Sequence, residues 1–125
     1  MKQNITKPST ARKRRYTAPN HLKRKHLSAP LSPSLRAEHG TRSMPVVQDD
    51  TVSITKGDRK LSEGRVLRVD VKDCRIYIEG VTRTRMDGST VQIPIKPENV
   101  MITRLNLNDQ WRRRILERKS FSAEE

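Results

Sequence analysis

The sequence has little cysteine, few aromatic residues and no long apolar run. Its single cysteine, Cys74, excludes an internal disulfide, and only 3% of its 125 residues are aromatic. Because only 32% of the residues are hydrophobic, we expect one domain with a small core. No apolar run approaches the roughly 20 residues of a membrane-spanning helix. We also expect no secretory signal, because no apolar segment follows the first basic residues.

Acidic residues are nearly absent from the first 45 residues. This segment holds eleven Lys and Arg residues against one acid, Glu38, whereas sixteen Lys and Arg residues face thirteen acids from Val46 onward. A segment so basic and so poor in apolar residues repels itself, and it gains order when a polyanion neutralises it. We therefore expect residues 1–45 to form an extended basic arm that binds nucleic acid.

Prolines interrupt the arm, and short helices are expected between them. Residues 11–16 can form one or two helical turns before the next proline. A better helix is expected over 32–40, where Ser32 is a suitable N-cap, Pro33 a suitable first helical residue and Gly40 a suitable stop. The arm is thus predicted to contain short helices.

Residues 46–107 are expected to form the folded domain, because their apolar residues recur with the period of two that is typical of half-buried strands. Asp87-Gly88 is a strong signal for a two-residue hairpin turn. Pro94 and Pro97 indicate that the fourth strand lies at an edge or ends in a bulge. The pattern predicts a mainly β fold, a small SH3-like barrel with few exposed edges. Its five short strands are expected around Val52 and Ile54, Val66 and Val69, Ile76 and Ile78, Val91, Ile93 and Ile95, and Val100 and Ile102.

The last segment, residues 108–125, is predicted to be a C-terminal helix followed by a tail. Asn108 is a suitable cap for this helix, which is expected to end near Lys119. Trp111 and Ile115, with Leu116 as a further candidate, lie on one narrow apolar stripe of the helix. We expect Trp111 to pack the helix against the barrel.

The stretch 50–69 resembles the KOW motif, which alternates apolar and polar residues around an essentially obligatory glycine, here Gly64. Glycine can adopt positive φ in a tight loop between two strands, and it lets an RNA backbone approach closely. Lys56, Arg59 and Lys60 lie on the same loop, from which they can reach phosphate groups.

The flanking segments 18–25, 31–36, 42–46, 78–82 and 94–103 make the resemblance more specific. Over about residues 9–116 the chain resembles the family of the universal large-subunit ribosomal protein twenty-four, in its archaeal–eukaryotic form. The resemblance implies a KOW barrel with extended termini. It also implies binding to large-subunit ribosomal RNA, mainly the 5′ region, early in assembly and near the mouth of the polypeptide exit tunnel. This family usually has glycine where the chain has Leu61, so we expect a local shift in contacts there.

Charge and resemblance together define an expected set of RNA-binding residues. Arginine side chains grip phosphate oxygens in a fork and release counterions. Tyr16 can stack on an unpaired base or pack on the backbone of the arm. The run 23–25 can face phosphates or serve as a nuclear localisation signal, and the segment 83–85 can form a basic finger or a soluble turn. The set comprises Lys7, Arg12, Lys13, Arg14, Arg15, Tyr16, His21, Lys23, Arg24, Lys25, Arg36, Arg42, Lys56, Arg59, Lys60, Gly64, Arg83 and Arg85.

No group of residues points to catalysis or to a metal site. His21, His26 and His39 are scattered, and with one cysteine they lack the paired ligand spacing of zinc sites. Cys74 has no evident base beside it and is expected to be a small buried residue. We therefore expect no enzyme, no cofactor, no metal and no small-molecule substrate.

The expected partners are large-subunit ribosomal RNA and neighbouring ribosomal proteins, within the large ribosomal subunit of the cytoplasm. Neither a membrane nor a second copy of the chain is expected to bind. The alternative is a transcription-associated KOW protein that binds RNA polymerase. Such factors usually carry a further domain beside the KOW module, and no second domain is visible in this sequence.

Overall fold

A computed structural model describes residues 4–124 of the chain, with side chains for residues 4–120. Residues 1–3 of the expected arm and residue 125 of the expected tail lie outside this range. The described part contains α1 Pro8–Thr17, α2 Asn20–His26, β1 Ser28–Pro30, α3 Pro33–His39, β2 Ser43–Pro45, β3 Thr51–Ile54, β4 Glu63–Asp70, β5 Arg75–Ile78, β6 Thr82–Thr84, β7 Thr90–Gln92, a 3-10 turn Pro97–Asn99, β8 Val100–Arg104 and α4 Gln110–Glu124. The expectation of a mainly β fold with short N-terminal helices and a C-terminal helix is confirmed.

A four-stranded antiparallel sheet, in the order β5-β4-β3-β8, forms the centre of the domain. Alternate side chains of β3 and β5 are buried, which explains the period of two in the sequence. Isolated bridges extend both edges of this sheet, because Ile76 pairs with Ile95 beside β5 and Ile102 pairs with Leu31 beside β8. Register shifts in the β3–β8 and β4–β5 pairings mark irregularities at which the sheet can bend into a small SH3-like barrel.

Part of the core comes from the segment that was expected to be an extended arm. Leu27, Ala29, Leu31 and Met44 are buried among the barrel residues. Ala29 and Met44 also pair across the small antiparallel sheet that β1 forms with β2. The structure therefore differs from the expectation over residues 27–45, because apolar side chains at alternate positions dock this segment on the barrel despite its charge. α1 and α2, in contrast, contain no buried residue.

Local signals at the helix ends are largely confirmed. The Ser32 hydroxyl accepts a backbone N–H of the first turn of α3 at 3.4 Å, and Gly40 ends this helix at φ 66. α4 begins differently from the expectation. Its cap is Asp109 instead of Asn108, since the Asp109 carboxylate accepts a backbone N–H of the first turn at 3.0 Å.

α4 packs on the core through residues other than the expected one. The side chain of Trp111 is 68% exposed, whereas Leu116 is buried and Ile115 is half-buried. The prediction for Trp111 is wrong because the helix turns Arg112 toward the core, where its guanidinium meets the buried carboxylate of Asp50.

The hairpin between β6 and β7 is confirmed, but its turn has three residues instead of two. The N–H of Arg85 donates to the carbonyl of Ser89 at 2.7 Å, and the N–H of Gly88 donates to the carbonyl of Arg85 at 3.0 Å. Gly88 has a φ of 91 degrees, as in the glycine bulge that follows a type I turn. Asp87 and Gly88 are therefore the second and third residues of the loop.

Candidate nucleic-acid interface

The loop between β3 and β4 presents three cations of the expected set. Lys56, Arg59 and Lys60 are all exposed on it. The Arg59 guanidinium donates to the carbonyl oxygen of Thr82 at 2.9 Å, which ties this loop to β6. The side chains of Lys56 and Lys60 make no hydrogen bond or ion pair within residues 4–120. The loop therefore offers two free ammonium groups beside one anchored guanidinium.

A basic groove of about 580 Å³ lies beside this loop. It brings together residues 56, 59 and 83 of the expected set. It also contains two cations that the sequence reasoning missed, Arg75 and Lys96. Ile76 and Ile95 form an antiparallel bridge at the edge of the sheet. This bridge places their neighbours Arg75 and Lys96 opposite each other. The charged residues that line the groove are Lys56, Asp58, Arg59, Arg75, Arg83 and Lys96.

A second groove, of about 470 Å³, continues from the first, because Arg75 and Lys96 line both. Its other side is formed by the arm, which contributes Arg15, Tyr16 and Lys23 of the expected set. We call the lining of the two grooves the basic surface. Its charged residues are Arg15, Lys23, Lys56, Asp58, Arg59, Lys72, Asp73, Arg75, Arg83, Lys96 and Glu98.

Two contacts hold the arm against this part of the barrel. The Arg15 guanidinium donates to the Glu98 carboxylate at 2.7 Å, and the Lys23 ammonium donates to the carbonyl oxygen of Lys72 at 3.0 Å. The hydrogen bond from Arg15 lowers the pKa of Glu98 and raises the pKa of Arg15 itself. Both side chains of this ion pair are about half exposed, at 53% and 54%. The pair therefore positions α1 but contributes little to stability.

The remaining expected cations and His21 lie outside the two grooves. Their side chains are exposed, and they make no hydrogen bond or ion pair within the part of the chain whose side chains are described. They are Lys7, Arg12, Lys13 and Arg14 at α1, His21, Arg24 and Lys25 on α2, Arg36 on α3, Arg42 before β2, Lys60 on the β3–β4 loop and Arg85 at the hairpin tip.

Gly64 has a different structural role from the one expected. It lies within β4, where it pairs with Val52, and its φ is not positive. A β-carbon at this position would lie 2.6 Å from the carbonyl oxygen of Glu79 and 2.8 Å from a side-chain methyl carbon of Ile78. The prediction that Gly64 adopts positive φ in a loop is wrong. Glycine is needed here because β4 packs too closely on the end of β5 to leave room for a β-carbon. A contact between Gly64 and RNA stays a prediction.

Leu61, in the β3–β4 loop, has a left-handed backbone with a φ of 72 degrees. This is the position at which the resembled family usually has glycine. The side chain is 82% exposed, so no packing compensates for the strain of the backbone. The turn at Leu61 is therefore strained, and a shift in contacts relative to the family stays a prediction.

α4 carries further cations that interact with the protein itself. Arg113 donates to the carbonyl oxygen of Leu107 at 2.7 Å. The Arg114 guanidinium lies 4.9 Å from the ring centre of Trp111, within the range of a cation–π contact. This contact gives the exposed indole a partner that the sequence pattern did not indicate.

The structure contains little that suits catalysis or metal binding. Within residues 4–120 no three His, Cys, Asp or Glu side chains are grouped as they would be around a metal ion. Nor is any helix of the described chain both long and apolar enough to cross a membrane. Cys74 is half-buried in the turn before β5, at a φ of 53 degrees, and so is less enclosed than expected.

Comparison of the sequence with known proteins assigns the chain to a family. A family model that describes the ribosomal proteins L26 of eukaryotes and their archaeal L24 counterparts matches residues 5–119. A protein named large ribosomal subunit protein uL24, from Korarchaeum cryptofilum, is 44% identical over 119 residues, which are 95% of this chain and 91% of that protein. A protein of the same name from Methanoculleus marisnigri is 48% identical over 105 residues, which are 84% of this chain and 87% of that protein.

These matches extend through the arm, the barrel and most of α4, and they confirm the family resemblance that the sequence analysis described. The chain belongs to this family of ribosomal proteins, and it is a structural, non-enzymatic constituent of the large subunit of the cytoplasmic ribosome.

Proposed function

We propose that this protein binds large-subunit ribosomal RNA through the basic surface and the exposed cations of α1 and α2. The observation that carries the proposal is the continuity of the two grooves, which Arg75 and Lys96 join. Eight cationic side chains line these grooves against three carboxylates, so the surface attracts a polyanion along its whole length.

Recognition is directed to the RNA backbone. The grooves present mainly guanidinium and ammonium groups, which donate hydrogen bonds to phosphate oxygens and release the counterions held there. Side chains cannot read the deep, narrow major groove of an A-form helix, so shape and phosphate contacts dominate in double-stranded regions. Tyr16 is 78% exposed at the rim of the second groove, where it can stack on an unpaired base.

α1 and α2 extend this surface. α1 has no acidic residue in its first turn, two arginines in its last turn and no buried residue, so its charge is not balanced from within the helix. Adjacent like charges oppose each other until phosphates neutralise them. RNA binding is therefore expected to stabilise α1 in place, with Arg15 exchanging between Glu98 and phosphate oxygens.

The family resemblance extends the proposal. The target is the 5′ region of the large-subunit RNA, and the protein joins it early in assembly, near the mouth of the exit tunnel and beside other ribosomal proteins. Early binding suits α1 and α2, because these basic helices bury no residue in the protein and can gain order from RNA that is still accessible.

The test is a binding assay between the full chain and a transcript of this 5′ region over a series of KCl concentrations. Replacing both Arg75 and Lys96 by Gln should weaken binding at least tenfold. The slope of log affinity against log salt should fall by about 0.7–0.9 for each phosphate that is no longer neutralised. Arg104→Gln is the matched control, because Arg104 is exposed and lines neither groove.

A sucrose-gradient fractionation of cell lysate then tests the assembly. The protein should sediment with the large subunit and its precursors. Sedimentation with RNA polymerase instead, or equal affinity of the double variant and the wild type, would contradict the proposal.

A further inference from the structure

Two tyrosine rings distinguish the second groove from the first. Tyr16 of α1 and Tyr77 of β5 both line the second groove, which has a volume of about 470 Å³, whereas none of the residues that line the first groove is aromatic. Unpaired RNA bases stack on aromatic side chains, and a pocket of this volume is large enough to enclose a small ligand. The second groove is therefore suited to an unpaired base as well as to the RNA backbone.

The Tyr77 ring is held in place by the barrel. Tyr77 is half-buried and pairs with Arg68 across β4 and β5, and the Arg68 guanidinium lies 4.2 Å from the centre of the ring. This distance is within the range of a cation–π contact. Arg68 does not line the groove, so the ring faces the groove with a part that Arg68 does not cover. Tyr77 therefore forms a fixed wall of the groove.

Tyr16 is the ring that a base can reach, because it is exposed at the same groove. The preceding residue, Arg15, is bound to Glu98, and Lys23 of α2 is bound to the carbonyl oxygen of Lys72. These two contacts hold the arm against the barrel along this groove. The exposed ring is therefore kept at the groove by its neighbours, without packing of its own.

A free carboxylate lies in the same lining. Asp73 is exposed, and its side chain makes no hydrogen bond or ion pair within residues 4–120. The side chain does not hold the β4–β5 turn either, because the carboxylate that accepts the Asp73 N–H at 3.3 Å belongs to Asp70. The neighbouring Arg75 donates to the backbone carbonyl oxygens of Asp73 and Cys74 instead, each at 3.2 Å. A negative charge here opposes phosphate binding, so the partner that suits it is a ligand group that donates hydrogen bonds.

We propose that the second groove binds one unpaired guanine nucleotide of RNA, with its base stacked on Tyr16 and its Watson–Crick edge bound by the Asp73 carboxylate. Bases outside a duplex are read by hydrogen bonds to this edge. Guanine presents two adjacent donors there, N1–H and N2–H, which match the two oxygens of one carboxylate, whereas adenine, cytosine and uracil each place an acceptor next to their donor. Arg75 and Lys96 line the same groove and can donate to the phosphates on either side of the base.

This inference rests on the proposed function and deepens it. The proposed function assigns the basic surface to the RNA backbone, whose contacts carry no sequence information. The second groove adds one position at which the protein distinguishes the base itself. The specificity-determining residue is Asp73, and the stacking residue is Tyr16.

Fluorescence anisotropy of the full chain with labelled pentauridylate tests the preference, with the central base replaced in turn by guanine, adenine or cytosine. At low salt the guanine oligomer should bind about three- to tenfold more tightly than the other three, because only guanine forms both hydrogen bonds to the carboxylate. Equal affinities for the four oligomers would overturn the assignment to guanine.

Asp73→Asn keeps the size of the side chain but replaces one acceptor oxygen by a donor. It should remove the preference for guanine without weakening the binding of the uridine oligomer. Asp58→Asn is the matched control, because Asp58 is an exposed carboxylate without a partner in residues 4–120, and it lines the first groove and not the second. This control should keep the preference. A preference that survives in Asp73→Asn, or that disappears equally in Asp58→Asn, would contradict the role of Asp73.

Tyr16→Leu removes the ring but keeps an apolar side chain, and it should weaken binding of the guanine oligomer at least about fivefold. Tyr16→Phe keeps the ring and should bind like the wild type. Since Tyr16 is exposed, both variants should keep the melting temperature of the wild type. Equal affinity of Tyr16→Leu and the wild type would overturn stacking on this residue.

The 5′-region transcript separates this inference from the proposed function. If the wild type binds the transcript but does not prefer the guanine oligomer, the guanine site fails while the proposed function stands. If the wild type binds neither the transcript nor any oligomer, both fail. Guanosine monophosphate is then added as a competitor, and it should not displace the guanine oligomer at equal concentration. Displacement would indicate a site for a free nucleotide and would overturn the assignment to RNA.

Discussion

The guanidinium of Arg112 binds the carboxylate of Asp50 through two hydrogen bonds, each 2.6 Å long. Asp50 is completely buried and Arg112 is 5% exposed. The carboxylate also accepts the N–H groups of Val47 and Asn106, and the guanidinium also donates to the carbonyl oxygens of Asn106 and Pro45. Because both carboxylate oxygens and both terminal guanidinium nitrogens have two partners each, the pair fixes α4 against the end of β2 and the start of β3.

Removing one member of this pair should be strongly destabilising. Asp50→Ala and Arg112→Met should each lower the free energy of unfolding by about 3–5 kcal/mol, because each leaves the other charge buried without a partner. The double variant should lose clearly less than the sum of the two, since no unpaired charge stays in the core. Urea unfolding measures these values, and the control is Arg104→Met, because the Arg104 side chain is exposed and makes no hydrogen bond or ion pair within residues 4–120. Additive losses would contradict the coupling.

The same network shows where sequence patterns fail. Asp50 and Arg112 are charged residues in segments with many charges, so nothing local distinguishes a buried pair from two solvated side chains. The helical stripe favoured Trp111 as the contact, but only the path of the chain between β8 and α4 decides which side of the helix meets the barrel. That path depends on contacts such as the one between Arg112 and Asn106, which the sequence does not display.

The features that were predictable depend on neighbours in sequence. Ser32 and Gly40 cap α3 as expected, and the period of two located β3, β5 and β8. The cations that join the two grooves were missed because their proximity depends on residues that are distant in sequence. Arg75 and Lys96 meet only because Ile76 pairs with Ile95, a contact between residues far apart in the chain.

Replacing Leu61 by Gly should stabilise the protein. Leu61 has a φ of 72 degrees and an exposed side chain, so the change removes backbone strain and loses almost no packing. Left-handed φ costs roughly 1–2 kcal/mol for a residue with a β-carbon, and the greater freedom of glycine in the unfolded chain offsets part of that gain. We expect a net gain of about 0.5–1 kcal/mol in urea unfolding. Leu61→Ala keeps the β-carbon and should give no such gain; an equal gain from alanine would refute the explanation by strain.

Replacing Gly64 by Ala should destabilise the domain through a clash instead of through backbone strain. The added methyl group would lie 2.6 Å from the carbonyl oxygen of Glu79, and a backbone atom cannot move aside as a flexible side chain can. Overpacking of this kind costs about 1–3 kcal/mol. Gly57→Ala is the comparison, because it separates the two causes. At Gly57 the backbone has positive φ, so a β-carbon causes strain, but no atom lies within 4 Å of it to cause a clash. An effect on RNA affinity at unchanged stability would instead indicate that Gly64 itself contacts RNA.

The contact between α1 and the barrel should depend on pH through Glu98. The hydrogen bond from Arg15 lowers the pKa of this carboxyl group in the folded protein, so the folded state favours the ionised form. The contribution of the pair is therefore complete above the ordinary glutamate pKa of about 4.3, and it is lost as the pH falls through the lowered folded-state pKa. Since both side chains are about half exposed, we expect no more than about 1 kcal/mol, and less in high salt.

NMR spectra recorded between neutral pH and pH 3 test this dependence at the amides of α1. The wild type should show a transition at Tyr16 and its neighbours as Glu98 is protonated and Arg15 is released. Glu98→Gln should lack this transition, and its α1 signals at neutral pH should match those of the wild type at low pH. If the variant keeps the same transition, another carboxyl group controls the position of α1. If the opposite variant, Arg15→Gln, removes the transition as well, the Arg15–Glu98 pair is the contact that holds α1 against the barrel before RNA is bound.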